Sequence, residues 1–314
     1  MRAIVLLAVV IVALAVTAAA AADGLPVLGI DVGSQGVTAV GSSDRYVTVT
    51  DGASTLVERI ARNGGGVLGV QRVAGTFTIP AVAYDSSASG LSADGSTLVL
   101  IQPRQAFPRA TTTFALFDAR KLLLQRRFTL RGDFSFDAIS PHGRKMFLIN
   151  YTSPDPTRYT VRAFDLQVNR LLPTAIVDPA ERSDKMRGAP ITRLLSLDGR
   201  WAYTLYDGAG GAPFVHALDT ATSRAHCIDL PMLVGNQNLW SLRFTRGPDA
   251  QIRIGTSGAP LAVLDTRVFA ASVPVVHAPS NLRPWLIGAA LAALSLLVAL
   301  AATRRRFRGR PAPA

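Results

Sequence analysis

The sequence predicts an all-β fold: a β-propeller of about five blades, with six as the alternative, between an N-terminal secretion signal and one C-terminal transmembrane helix. Three observations predict it. A turn–strand–loop–strand unit recurs along the chain, its copies lie near 50 residues apart, and uncharged apolar runs stand close to both ends.

The clearest copy is SLDGRWAYTLYDGAGGAPFVHALDT, residues 196–220. Asp198-Gly199 is a tight-turn signal, because Gly accepts the positive φ that such turns need. Trp201–Tyr206 is rich in aromatics and reads as a strand. A Gly/Pro loop follows, then the apolar run Phe214–Leu218, closed by Asp219, a residue type that caps turns. Looser copies begin at Ser92 (SADGSTLVL), Ser140 (SPHGRKMFL) and Thr245, with a weak one at Ser42. Their closing aspartates are Asp118, Asp165 and Asp265. A period near 50 with about four short strands per unit is the mark of a propeller. One such unit cannot bury both faces of its sheet, so several must stack. Val27–Val32 and Val268–Val276 are the stretches that could complete a sixth.

The organisation follows from the ends. Residues 1–22 read as a signal peptide: one basic residue, an unbroken apolar run and an alanine-rich cleavage region. Residues 23–276 form the propeller and 277–284 a short stalk. Residues 285–303, WLIGAALAALSLLVALAAT, carry no charge. At about 1.5 Å per residue they span the hydrocarbon core. The basic tail 304–314 then lies in the cytoplasm by the positive-inside rule. The expected protein is single-pass, with an extracytoplasmic ectodomain. Residues 28–40, LGIDVGSQGVTAV, have the look of a sugar-kinase phosphate loop, but their place after a signal and before the repeats reads as strand–turn–strand.

Within the repeats, Gly75–Val82 parallels Gly132–Ile139 as the innermost strands of two blades, each entered through a Gly-x-Phe bend. Pro80 lacks an N–H and suits a strand end. Leu122–Leu130, Leu171–Val177 and Ala225–Leu230 read as outer strands. Arg131-Gly132-Asp133, an RGD triplet, falls at a bend between blades, and Asn150 begins a glycosylation sequon.

Loops of a propeller alternate between two faces. The short turns share one; the longer, chemically richer loops share the other, where binding residues concentrate. The candidate binding residues on that face are Arg104, Arg109, Asp155, Arg158, Arg182, Asp184, Lys185, Arg187, Asn236 and Trp240. Asp133 and Asp137, four apart on an inner strand, are candidate channel carboxylates that could bind a metal or act as acid and base.

Other chemistry is sparse. Cys227 is the sole cysteine, which rules out an internal disulfide framework and a multi-Cys metal site; it reads as a packed thiol. There is no G-x-S-x-G elbow, no HExxH and no cofactor fingerprint, so no cofactor or metal is expected. Half of the net charge of +12 sits at Arg2 and the tail arginines, and no basic patch with stacking aromatics suggests nucleic acid. His216 and His226 alternate with apolar residues and read as packed.

The SxDG–strand–loop–strand–Asp unit resembles the bacterial secreted propellers with WD40-like or YVTN-type repeats, from Ser42 to about Val276, although the YVTN tetrapeptide itself is absent. The resemblance implies a propeller with a binding role. The expected function is therefore a membrane-anchored binding or scaffolding module for a cell-envelope protein or glycan. The alternative is an extracytoplasmic hydrolase or lyase with its site in the channel.

Overall fold

The computed structural model describes residues 36–61, 65–181, 186–257 and 259–274. The signal (1–22), Val27–Val32, the stalk and 285–314 lie outside them. No helix among the described residues is long and apolar enough to cross a membrane.

The described chain is all-β and forms five antiparallel sheets, each a meander in which sequential strands pair. The first holds β1 (Asp44–Asp51), β2 (Ser54–Ala61) and β3 (Val67–Ala74). The second holds β4 (Thr97–Ile101), β5 (Thr111–Asp118) and β6 (Leu123–Arg131). The third holds β7 (Asp133–Ile139), β8 (Lys145–Tyr151), β9 (Tyr159–Asp165) and β10 (Arg170–Ile176). In the fourth are β11 (Pro190–Leu195), β12 (Trp201–Tyr206), β13 (Phe214–Asp219) and β14 (Arg224–Asp229). The fifth has β15 (Arg243–Arg246), β16 (Gln251–Gly255), β17 (Pro260–Asp265) and β18 (Ala270–Ser272). Isolated bridges supply a leading strand to the first two: Val37 pairs with Tyr46, Thr78 with Ile101 and Leu91 with Leu98. Ala270–Ser272, a candidate piece of a sixth sheet, is instead the last strand of the fifth.

Apolar clusters lie between consecutive sheets, as stacking of units that cannot bury their own faces requires. Leu98, Leu100 and Phe117 pack with Val57 and Val73 between the first and second. Phe134, Phe136 and Met146 pack with Ile101 and Phe114 between the second and third. Ala138, Phe147 and Val161 meet Ala202 and Leu218 between the third and fourth. Tyr203, Leu205 and Val215 meet Phe244, Ile252 and Leu264 between the fourth and fifth.

The passage from one sheet to the next is fastened by a repeated device. Gly75 donates its N–H to the Ala53 carbonyl, and Gly132 donates to Ala110. The buried Thr55 hydroxyl donates to the Gly75 carbonyl at 2.8 Å and accepts from Phe77 N–H at 2.8 Å. Thr112 repeats both bonds with Gly132 (2.9 Å) and Phe134 (3.0 Å). At the next passage the Tyr159 hydroxyl takes the same part, donating to the Gly188 carbonyl at 3.0 Å. Each bend exposes backbone groups that no ladder can satisfy, and the side chain of the preceding sheet satisfies them.

The repeat motifs are turn chemistry. Ser92 and Ser196 hydroxyls accept from Thr97 and Trp201 N–H, while Asp94 and Asp198 carboxylates accept from Ser96 and Arg200 N–H. In the third sheet His142 replaces the Asp and reaches across to Asp94 at 3.3 Å. The closing aspartates cap the next turn: Asp118 accepts from Lys121 N–H, Asp165 from Gln167, Asp219 from Ala221 and Asp265 from Arg267. Four residues after each of them, Leu122, Asn169, Ser223 and Phe269 adopt positive φ. Such a conformation costs a non-glycine residue about 1–2 kcal/mol, and the capping bonds offset it.

The turns also touch one another. A Cβ on Gly199 (φ +69°) would stand 2.3 Å from the Ala93 Cβ, whereas one on Gly52 (φ +59°) would meet nothing within 4 Å. Gly52→Ala is expected to cost about 1–2 kcal/mol for its backbone alone, and Gly199→Ala about 2–5 kcal/mol because overpacking adds to it. Urea denaturation followed by tryptophan fluorescence measures both, and equal losses would refute close contact between the turns.

Candidate functional site

Arginine–aspartate pairs dominate the chemistry along the leading strand of the third sheet. Asp133, at the start of β7, is buried. Its Oδ1 accepts from Arg104 Nη2 at 2.5 Å and Nε at 3.1 Å, and its Oδ2 from Arg109 N–H at 2.9 Å. Arg104 Nη2 also donates to Ser135 Oγ at 3.1 Å. The Arg104 guanidinium lies 5.3 and 5.2 Å from the Phe107 and Tyr151 ring centres. Arg109 Nε stands 3.4 Å from Asp133, and its Nη1 and Nη2 donate to the Gln102 and Phe134 carbonyls. Burial, together with the neighbouring Arg104 charge, lowers the Arg109 guanidinium to about 10 despite the pull of Asp133. Three sequence candidates, Arg104, Arg109 and Asp133, thus form one buried network. A bulge between Phe136 and Ala138 turns the strand at Asp137, whose carboxylate pairs with Arg193 of β11. The two carboxylates therefore each have their own arginine. Of the RGD triplet only Asp133 is buried, while Arg131 stays exposed, and Asn150 of the sequon is buried on β8.

The leading strand of the second sheet is not the single run Gly75–Val82 read from sequence. It pairs at Thr78, leaves at Pro80 and returns at Gly90, where Val99 N–H reaches the Gly90 carbonyl. The intervening residues fold back, with Ala81 bridging Ala88. The tip of this excursion crosses to the fourth sheet: Tyr84 N–H donates to the Pro190 carbonyl at 2.9 Å and Asp85 N–H to Ile191 at 3.1 Å. Asp85 accepts from the Thr192 hydroxyl at 2.5 Å and lies 3.7 Å from Arg243 of the fifth sheet. Tyr84 meets Trp240 edge-on, ring centres 5.0 Å apart. Sheets two, four and five are tied together through this hairpin.

The remaining candidates stand on the long-loop face. Asp155 accepts from the Thr157 hydroxyl at 2.6 Å and from Thr157 N–H at 2.9 Å, which lowers its carboxyl below the usual range, and it pairs with Arg158 at 3.3 Å. Arg158 forms a β-bridge with Arg187, which joins the loops of the third and fourth sheets. Trp240, in the short 3-10 turn Leu239–Ser241, is 46% exposed. The Asn236 side chain accepts from Asn238 N–H, within its own loop. Arg182, Asp184 and Lys185 lie outside the described residues.

A cavity of about 40 Å³ opens on this face, beside Arg187. Its walls are Asp178, Glu181 and Met186 from the loop after β10, Phe214 and His216 from β13, and Cys227 and Asp229 from β14. His216 and Cys227 are direct cross-strand partners. Asp178 accepts from Ala180 N–H and Cys227 N–H, each at 2.8 Å, with His226 Nδ1 3.9 Å away. His216 is 1% exposed, and its Nε2 has no hydrogen-bond partner among the described residues. Burial pushes its imidazole down to about 4, with Asp137 acting upward and Arg193 downward, so the ring is neutral at physiological pH. Cys227, expected as a packed thiol, is only partly buried and lines the cavity. Among the described residues no three His, Cys, Asp or Glu side chains gather as a metal site. Sequence reading took His216 and Cys227 for packing residues; the one available signal was that both sit in adjacent polar-interrupted strands.

No family model and no curated protein matches the chain. It is similar to several solved structures. Hydrazine synthase of Kuenenia stuttgartiensis is 14% identical, over 74% of this chain and 62% of that one, with a TM-score of 0.44. TolB from Acinetobacter baumannii is 10% identical, over 71% of this chain and 49% of that one, with a TM-score of 0.40. The β-propeller domain of Cps50 (Swd1) from Myceliophteria thermophila is 9% identical, over 79% and 70%, with a TM-score of 0.37. This chain thus spans less than two thirds of the first two.

Two predictions follow from the buried charges. Asp137→Ala strands the Arg193 guanidinium in the interior and is expected to cost about 3–5 kcal/mol, read as a fall in urea midpoint; a loss below 1 kcal/mol would show the arginine to be solvated. His216 stays neutral in the folded protein, while in the unfolded chain it binds a proton below about pH 6.5. Its contribution is complete above pH 6.5 and is lost as pH falls toward 4, by about 3 kcal/mol in all. The stability difference between the native chain and His216→Gln is expected to narrow by that amount between pH 7 and pH 4. A pH-independent difference would contradict the assignment.

Proposed function

We propose that this chain is a membrane-anchored, extracytoplasmic β-propeller of about five blades that serves as a binding or scaffolding module for a cell-envelope protein or glycan. The observation that carries the reading is that the inner-strand carboxylates are already engaged, beside a Pro80–Ser89 hairpin tied to β11 by Tyr84 and Asp85. Asp133 and Asp137, the carboxylates a channel hydrolase or lyase would need, are each held by an arginine. A carboxylate fixed in a buried ion pair is a poor proton carrier. What remains open is the loop face, with Arg158, Arg187 and Trp240 on its surface and the His216 cavity within it. Long loops on a rigid sheet scaffold suit recognition. The five four-stranded meanders, counting the isolated leading bridges, support the blade count, and the uncharged run 285–303 supports the anchor.

The test uses a photo-cross-linking residue in the full-length chain in intact cells. Placed at Arg158 or Arg187 it is expected to capture one envelope component, and placed at Val268, on the short-turn face, to capture none. A copy truncated before Trp285 is expected to leave the membrane fraction. Equal capture from both faces, or membrane retention of the truncated copy, would overturn the corresponding half of the reading.

A further inference from the structure

We propose that the groove between the bend after β3 and the β5–β6 pair binds an acidic sugar residue, a pyranose ring that carries a carboxylate, as in a hexuronic acid. The inference deepens the binding reading above on its glycan side and rests on it. The groove lies at the long-loop end of the first two sheets: Ala74 closes β3, Gln102 follows β4 and Thr113 stands near the start of β5.

Register brings the polar groups together. Thr113 and Thr129 are direct cross-strand partners, and Ala115 faces Arg127. Gln102 N–H donates to the Thr113 carbonyl at 2.9 Å. Arg127 Nη1 donates to the Ala74 carbonyl at 2.8 Å, which ties β6 to the bend. Thr76 of the bend stands in the opposite wall.

Hydrogen-bonding capacity points to a polyol. The Thr113 and Thr129 hydroxyls share one bond at 3.0 Å, so one of their two hydrogens stays free. The Thr76 hydroxyl and the Gln102 side-chain amide bond to no described residue. Hydroxyls and amides both donate and accept, as the hydroxyls of a sugar do. A bare anion would use the donors alone.

Arg127 points to the carboxylate. It is exposed, no described carboxylate pairs with it, and beyond the bond to Ala74 its donors are unused among the described residues. No described acidic side chain lines the groove. Residues two apart on a strand share a face, so Arg131, also exposed, extends the Arg127–Thr129 row along β6. The planar guanidinium fork suits a carboxylate.

Size limits the ligand to about one ring. The volume is about 430 Å³, within the range of small-molecule sites. That holds about fourteen water-sized groups at ~30 Å³ each, against the roughly thirteen non-hydrogen atoms of a hexuronic acid.

The full-length protein, in a detergent without a sugar headgroup, is titrated with methyl β-D-glucuronide, methyl β-D-glucoside and acetate, and binding is read by saturation-transfer NMR. The glucuronide is expected to bind saturably, and the other two at least tenfold more weakly, since each offers only part of the match. Arg127→Gln is expected to weaken the glucuronide about tenfold, the worth of one charge-assisted hydrogen bond, and to leave the glucoside unchanged. Thr129→Val, at an exposed position, is expected to weaken both sugars several-fold and carries the decision should Arg127→Gln fail to fold. No binding of the glucuronide, equal binding of the glucoside or of acetate, or full glucuronide affinity in either folded variant would overturn the proposal. Free glucuronic acid distinguishes the sources: tighter binding than the methyl glycoside indicates a soluble monosaccharide, and weaker binding a polysaccharide. Capture at Arg158 or Arg187 reads the loops of the third and fourth sheets, so capture there without glucuronide binding removes this site and leaves the scaffold reading standing.

Discussion

Two backbone hydrogen bonds, from Tyr84 and Asp85 to the carbonyls of Pro190 and Ile191, tie the second sheet to the fourth. A meander sheet satisfies its interior strands but leaves its first strand with one unpaired edge. In the fourth sheet part of that edge is β11, and the hairpin from the second sheet pairs with it. The departure is set by local chemistry. Pro80 has no N–H to continue the ladder. At the return, Gly90 sits at φ +110°, with the Val99 carbonyl 2.5 Å from where a Cβ would stand. Once the tip is placed, Asp85 reaches both Thr192 and the fifth-sheet Arg243, and Tyr84 seats Trp240.

The arginine–aspartate pairs act in a different way. A buried ion pair adds little net energy, because desolvation cancels most of the attraction, yet breaking one is expensive. Asp133 draws Arg104 and Arg109 of the second sheet onto the third, and Asp137 draws Arg193 of the fourth. A slip of one residue in β7 would turn both carboxylates to the opposite face. Their effect is to penalise wrong registers between neighbouring sheets more than to stabilise the right one. This gives acidic residues on an inner strand a structural role, although the sequence pattern alone equally suits a channel acid and base.

Much of the fold was legible because its signals are local. The Ser and Asp of each SxDG turn bond to backbone within five residues, and each closing Asp caps the turn that follows it. Gly-x-Phe marked the bends, since only the glycine tolerates the positive φ there. The left-handed residues four after each closing Asp were not legible: Leu122, Ser223 and Phe269 carry no glycine signal, and the strain is borne by the cap. The crossing hairpin was also hidden, because its partners lie more than 100 residues away and pair through backbone atoms that have no side-chain signature. Of the loop candidates, Asp155, Arg158 and Arg187 could be read as surface residues from their composition. Arg104 and Arg109 could not be told from them, since only the fold reveals the aspartate that takes them inside.

The His216 cavity shows why a site can escape both motif and periodicity. On β13 the histidine interrupts an apolar strand, the same pattern as a packed core residue, and on β14 Cys227 does likewise. Antiparallel register sets them opposite one another, and the loop after β10 brings Asp178 to cap the Cys227 N–H. Strands thus hold the imidazole and thiol rigidly, while a loop supplies carboxylates at the mouth. A buried neutral imidazole has lost its hydration, which costs free energy while nothing meets Nε2. His216 Nε2 has no hydrogen-bond partner among the described residues, and Asp137 Oδ2 and Arg193 Nε of the neighbouring pair are likewise without one. Three orphaned polar atoms on the third and fourth sheets thus carry a desolvation cost that the folded protein bears.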